Sequence, residues 1–171
     1  MTILTIMRHA KSDWSDSQLD DFDRPLNDRG RKAAKRIGRE FRNRRIRFDQ
    51  VIASPALRVR ETLDELAEGY GETRKVRFEQ RIYESSASAL LDLVRSIPNA
   101  VHAPLLVGHN PGLHELVLTL TTDDDDSLRR RVMAKFPTAA AAVIELPAVR
   151  WGEVAPDSGR IVELILPREL D

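Results

Sequence analysis

No cysteine occurs among the 171 residues. That absence excludes a disulfide framework, a thiolate nucleophile and every zinc site that needs sulfur, and it suits a reducing compartment. An excess of charge of one sign is also missing: Lys+Arg 27 against Asp+Glu 27 gives a formal net charge of +0. The chain as a whole therefore exerts no electrostatic pull on nucleic acid or an anionic membrane, and any basic surface has to be local. No stretch approaches the ~20 apolar residues of a membrane span. The run Met1 to Met7 is too short for the apolar part of a secretory signal and lacks a basic start and a cleavage site. These features predict a soluble cytoplasmic protein without a nucleic-acid or membrane partner.

What is present predicts one domain over residues 1–171, with 42% hydrophobic residues to fill its core. Thr2 to Met7 is an Ile- and Leu-rich run without alternation, as in a strand buried on both faces. From Asn27 onward Ala33, Ala34, Ile37 and Phe41 recur at helical spacing, with Asn27 or Asp28 to cap the start. Phe48 to Ala53 reads as a second strand. Ser54-Pro55 ends it, with Pro55 suited to the first position of a helix that carries Val59, Leu63, Leu66, Ala67 and Tyr70 and stops at Gly69 and Gly71. Further strands are predicted at Val76 to Phe78 and Pro104 to Gly108, and helices at Ala87 to Ile97 and Leu113 to Leu120. Ala139 to Leu146 and Arg160 to Leu166 read as a hairpin or neighbouring pair of strands. Alternation of this kind predicts a three-layer α/β/α domain with a mostly parallel central sheet.

In such sheets ligands sit beyond the carboxyl ends of the strands. Arg8 and His9 follow the first strand, Ser54-Pro55 the second with Arg58 in the next helix, and His109 and Asn110 follow Pro104 to Gly108. Two arginines and two histidines thus converge. The guanidinium fork matches phosphate oxygens, and helix N-termini favour anions, so the predicted ligand is a phosphate. A neutral imidazole can attack phosphorus, which makes His9 and His109 the candidate nucleophiles; the phosphoryl oxygens need several positioned cations as well.

The segments Ile6-Met7-Arg8-His9-Ala10-Lys11-Ser12, Ala53-Ser54-Pro55-Ala56-Leu57-Arg58, Ile82-Tyr83-Glu84-Ser85-Ser86 and Val107-Gly108-His109-Asn110-Pro111 together resemble the histidine phosphatase superfamily, closest to its small SixA-type members. The resemblance runs from about Ile3 to Pro111, and Phe136-Pro137-Thr138 adds to it. It implies a phosphoglycerate mutase-like fold and a phosphohydrolase without metal or other cofactor. His9 would be the phosphorylated nucleophile, and Arg8, Arg58 and His109 would bind the phosphoryl group, with Ser12 and Asn110 beside them. Glu84 falls where wider relatives carry the acid that protonates the leaving group, although a Glu near a helix start is also a favourable dipole partner. Ala10 stands where many relatives have glycine. The chain has little room for the insertions that cover the site of mutase-type relatives, so the implied substrate is a phosphohistidine protein or another bulky phosphate. A broad small-molecule phosphomonoesterase and a non-catalytic phosphate-binding module are the alternatives.

Other charged features read more plainly. His102 and His114 are taken as structural. A metal site from His109, His114 and the carboxylates Asp123 to Asp126 is disfavoured because Pro111 and Gly112 interrupt the histidine spacing, and that acidic run reads as a solvated loop. Arg29, Arg31, Lys32, Lys35, Arg36 and Arg39 give the first helix a basic side that could meet nucleic acid or an acidic phosphoprotein, and that is read as the wet side of an amphipathic helix.

Overall fold

The computed structural model describes residues 1–122 and 127–170. Six strands, β1 (Thr2–Arg8), β2 (Gln50–Ala53), β3 (Val76–Phe78), β4 (Pro104–Gly108), β5 (Ala141–Leu146) and β6 (Arg160–Ile165), form one sheet in the order β3-β2-β4-β1-β5-β6. The first four in that order run parallel, β5 runs antiparallel to β1, and β6 runs antiparallel to β5. The predicted three-layer, mostly parallel architecture is therefore the observed one. The helices are α1 (Asp28–Asn43), α2 (Leu57–Tyr70), α3 (Ala87–Arg95), α4 (Gly112–Leu120) and α5 (Ser127–Ala134).

Successive strand residues point to opposite faces, so each strand feeds two cores. Leu4, Ile6, Ile52 and Leu106 pack with α3 and α4. Met7, Val51, Ala53 and Val107 pack with α1 and α2. Asn27 accepts the Gly30 N–H at 2.8 Å and is the N-cap of α1. Among the described residues no helix is long and apolar enough to cross a membrane.

Several boundaries differ from the sequence reading, each for a local reason. Gly69 does not stop α2. It lies inside the helix at the crossing with α1, where a Cβ would overlap the Lys35 carbonyl oxygen, just as one at Gly38 would overlap that of Leu66. Gly71, at φ +87°, is the left-handed cap that ends α2. Pro55 stays outside the helix, because Ser54 Oγ accepts the Ala56 N–H at 3.3 Å and Ala56 is still extended. Phe48 precedes β2 and packs between the rings of Phe41 and Tyr70. β5 begins at Ala141, since Ala139 turns with φ +62° and gives its N–H to the His9 carbonyl at 2.9 Å. Helix α5 has no counterpart in the sequence reading: its apolar signal is short, and Val132 is its buried residue. Asp123 to Asp126 lie outside the described residues.

The register decides where the strands deliver their polar ends. Arg8 pairs with Gly108, and Ala53 with Val107, so His9, Ser54 and His109 emerge together along one edge. The antiparallel β5 starts at that same edge and carries Phe136-Pro137-Thr138 to it.

Candidate phosphoryl-transfer site

His9 extends the β1 ladder by donating its backbone N–H to the Gly108 carbonyl at 3.0 Å. Its ring is buried, and Nδ1 lies 2.6 Å from the Ala10 carbonyl oxygen. A carbonyl can only accept, so Nδ1 carries the proton and the neutral ring keeps its lone pair on Nε2. Burial, with His109, Arg58 and Arg8 nearby, pushes the His9 pKa from 6.5 down to about 3, against the opposing pull of the Ala10 bond. The imidazole is therefore neutral and nucleophilic across the physiological range. Ala10 is fully buried and does not share the positive φ of Ala139, so a side chain at the position after the histidine carries no left-handed strain.

His109 lies with its ring centroid 5.2 Å from that of His9. Nδ1 accepts from Arg58 Nη2 at 3.2 Å, which leaves Nε2–H to donate to Ser54 Oγ at 2.8 Å. Burial, followed by the charge of Arg58, pushes its pKa down to about 4.

Three guanidiniums line the same cavity of about 400 Å³, those of Arg8, Arg24 and Arg58. Arg24 and Arg58 are buried, and burial together with Arg58 lowers the Arg8 pKa. Each of the three has an Nε without a hydrogen-bond partner among the described residues. Buried orphan donors on three cations are an unfilled demand for an anion with several oxygens.

One carboxylate meets part of that demand. Asp21, in a short 3-10 turn at Asp21–Asp23, accepts from Arg24 Nη2 at 2.6 Å, Arg58 Nη2 at 3.0 Å and Tyr83 Oη at 2.7 Å. Its main-chain oxygen takes Arg58 Nη1 at 2.7 Å. Burial opposes ionisation, but the bonds from Tyr83 and Arg24 and the Arg58 charge hold Asp21 well below the usual carboxylate range. Tyr83 is correspondingly pushed up to about 12 by burial and by Asp21.

The sequence-predicted set is thus brought together in part. Arg8, His9, Ser12, Arg58, His109 and Asn110 all line the cavity. The Ser12 hydroxyl is already engaged by Arg24. Asn110 gives Nδ2 to the Phe136 carbonyl at 2.8 Å and keeps a buried Oδ1 without a partner among the described residues. Glu84 is exposed and lines an adjoining cavity of about 590 Å³ that shares Arg58, His109 and Asn110 with the first. It adopts φ 55°, a left-handed conformation rare for a non-glycine residue. His114 is structural as read, its ring against Phe136 and Nε2 2.5 Å from the Val132 carbonyl.

Sequence reasoning missed Asp21, Arg24, Trp14 and Thr62. The first three sit in the loop between β1 and α1, where no periodicity marks them; an arginine set among aspartates after the first strand is the signal available. The exposed Trp14 ring lies against the Arg24 guanidinium at 3.4 Å. Thr62 Oγ1 accepts the Ala10 N–H at 3.0 Å and donates to the Arg58 carbonyl at 2.6 Å.

The family model described as "Histidine phosphatase superfamily (branch 1)" matches residues 4–135. An uncharacterized protein of Mycobacterium tuberculosis (strain H37Rv) is 32% identical over 164 residues, covering 95% of this chain and 100% of that protein. A crystal structure from Agrobacterium tumefaciens, provisionally described as the phosphohistidine phosphatase SixA, superposes with a TM-score of 0.82 at 26% identity, covering 97% of this chain and 98% of that one. A second, from Nakamurella and described in the same way, gives 0.82 at 25% identity over 97% and 96%.

Proposed function

Because this chain belongs to the histidine phosphatase superfamily and is a phosphohydrolase, we propose that it works through a phosphoryl group carried transiently on His9. Nε2 of His9 attacks phosphorus while Arg8 and Arg58 hold the non-bridging oxygens and His109, bonded to Arg58 through Nδ1, positions that guanidinium. The N–P bond forms as the bond to the leaving group breaks. A water oxygen then attacks phosphorus, the N–P bond breaks, and inorganic phosphate leaves with His9 restored. The observation that carries this reading is the Ala10 carbonyl on Nδ1, which fixes the free lone pair on Nε2 in a cavity lined by three guanidiniums. Arg24 supports the site by gripping Ser12 and Asp21.

The substrate that fits best is a phosphohistidine protein or another bulky phosphate. Glu84 is solvent-exposed in the adjoining cavity, so the arrangement suits a leaving group that needs little protonation, such as imidazole. The solved relatives described as phosphohistidine phosphatases favour the same substrate.

The test is release of inorganic phosphate from an aryl phosphate and from a phosphohistidine protein, with excess chelator, by wild type and His9→Ala. Turnover that resists chelator and disappears in the variant is expected, with the phosphohistidine protein the better substrate. Full activity in His9→Ala would overturn the mechanism. Higher kcat/KM on sugar or nucleotide phosphates would point to a small-molecule phosphomonoesterase, and tight binding without turnover to a binding module.

A further inference from the structure

Arg29, Lys32, Ala33 and Arg36 recur on α1 at helical spacing and form one wall of a groove of about 440 Å³. Facing them are Lys135, Pro137 and Thr138, with Pro167 and Arg168 from the C-terminal segment. Lys11, Lys135, Pro137 and Thr138 also line the cavity that holds His9, so the groove opens directly off the phosphoryl site.

Two other basic residues of α1, Arg31 and Lys35, are paired with acids. Arg31 lies 3.6 Å from Glu61, and Lys35 lies 3.9 Å from Glu65 and 3.4 Å from Glu68, all on α2. Among the described residues no carboxylate lines the walls on the groove side. The acids of α1 and of the C-terminal turn are committed elsewhere: Asp28 faces Arg31 at 3.6 Å, Glu40 faces Arg44 at 2.5 Å, and Glu169 faces Arg131 at 2.6 Å. Lys11, Arg29, Lys32, Lys135 and Arg168 are exposed and have no acidic partner among the described residues. In a chain of zero net charge, this is a local positive field attached to one end of the site.

The form of the groove narrows the partner. A small anion's subsite would hold it on buried donors, as Arg24 and Arg58 are buried; these cations are the ends of exposed side chains, which act on encounter and orientation. Among the described residues no aromatic side chain lines the groove, so it offers no stacking platform for nucleic-acid bases. Ala33, Pro137 and Pro167 give it apolar contact between the charges. We propose that this groove seats an acidic segment of a protein substrate, leading away from the phosphorylated side chain held beside His9. The inference rests on the reading of His9 and its arginines as the phosphoryl site and names the kind of protein that site serves.

The test uses the full chain and synthetic phosphohistidine peptides of one length, flanked by Glu or by Gln, with an aryl phosphate as the flank-free substrate. The variant is Arg29→Glu/Lys32→Glu/Arg168→Glu, whose three positions line only the groove. Expected is a higher kcat/KM for the Glu-flanked peptide, falling as salt rises, and a loss of about tenfold or more in the variant through KM, since each rim charge is worth little alone. Hydrolysis of the aryl phosphate should be unchanged. Fluorescence anisotropy of the labelled peptides, read in parallel, should show the same preference even without turnover. Equal kcat/KM and equal binding for the two peptides would overturn the proposal. So would a greater preference for a 5′-phosphorylated oligoribonucleotide or a sugar bisphosphate that is lost in the same variant. Failure on the aryl phosphate by wild type would instead strike the reading of His9.

Discussion

Ala10 donates its backbone N–H to Thr62 Oγ1 at 3.0 Å, and the Thr62 hydroxyl in turn donates to the Arg58 carbonyl at 2.6 Å. The residue whose carbonyl fixes the His9 tautomer is thereby tied to the turn of α2 that carries Arg58. Thr62→Val keeps the shape, removes the hydroxyl and orphans the buried Ala10 N–H, a cost of about 1–3 kcal/mol. The expected outcome is a lower kcat on an aryl phosphate, by about tenfold, with KM little changed, while Thr62→Ser restores most of the rate. A Val variant that loses stability but keeps full kcat would show that Thr62 supports only the fold.

Asp21 is the counter-charge to Arg24 and Arg58 in the absence of substrate. Asp21→Asn leaves these cations repelling one another, and an added anion relieves that repulsion. Thermal unfolding should show a lower Tm for the variant than for wild type, by a few degrees on the scale of about 2–4 °C per kcal/mol for a domain of this size. Inorganic phosphate should raise the variant's Tm more than the wild type's. An equal phosphate response would mean that Asp21 does not share the anion's place.

Glu84 separates two readings by leaving group. If its carboxyl donates a proton, Glu84→Gln lowers kcat/KM on an alkyl phosphate by about 10²-fold or more and spares an aryl phosphate, whose leaving group needs no help. Equal, small effects on both would assign Glu84 to the helix start alone. Glu84→Gly should stabilise the fold slightly, because glycine accepts φ 55° without steric cost.

The two site histidines make stability depend on pH in a fixed direction. Their folded pKa values, about 3 for His9 and about 4 for His109, lie below the ordinary 6.5. The unfolded chain therefore binds more protons than the folded one between these values, and stability is fully present above pH 6.5 and lost as pH falls. Each histidine adds a slope of about 1.4 kcal/mol per pH unit in that window. Urea unfolding between neutrality and the top of the carboxylate range should show that slope, and His9→Asn should remove about half of the histidine contribution. A slope unchanged in the variant would contradict a buried neutral His9.

Much of the site was legible because parallel strands expose their carboxyl ends together: Arg8-His9, Ser54-Pro55 and His109-Asn110 each follow an apolar run, and three short segments sufficed to place them. Arg24, Asp21 and Trp14 were not legible, since a loop has no period and its side chains are chosen by what it folds onto. Gly69 was misread for a related reason. A glycine that ends a helix and one that admits a neighbouring helix look the same until α1 is packed against α2.

The sequence by itself determined the six strands and four of the five described helices, the absence of thiol chemistry and the identity of the two histidines and two arginines, because periodicity and residue type are local properties. Only the tertiary structure decided which His9 nitrogen is free, that a third guanidinium and one carboxylate share the site, and that Arg31 and Lys35 of α1 face acids on α2 while Arg29 and Lys32 line a groove. Those outcomes depend on register, burial and distances between segments far apart in the chain, and no local pattern encodes them.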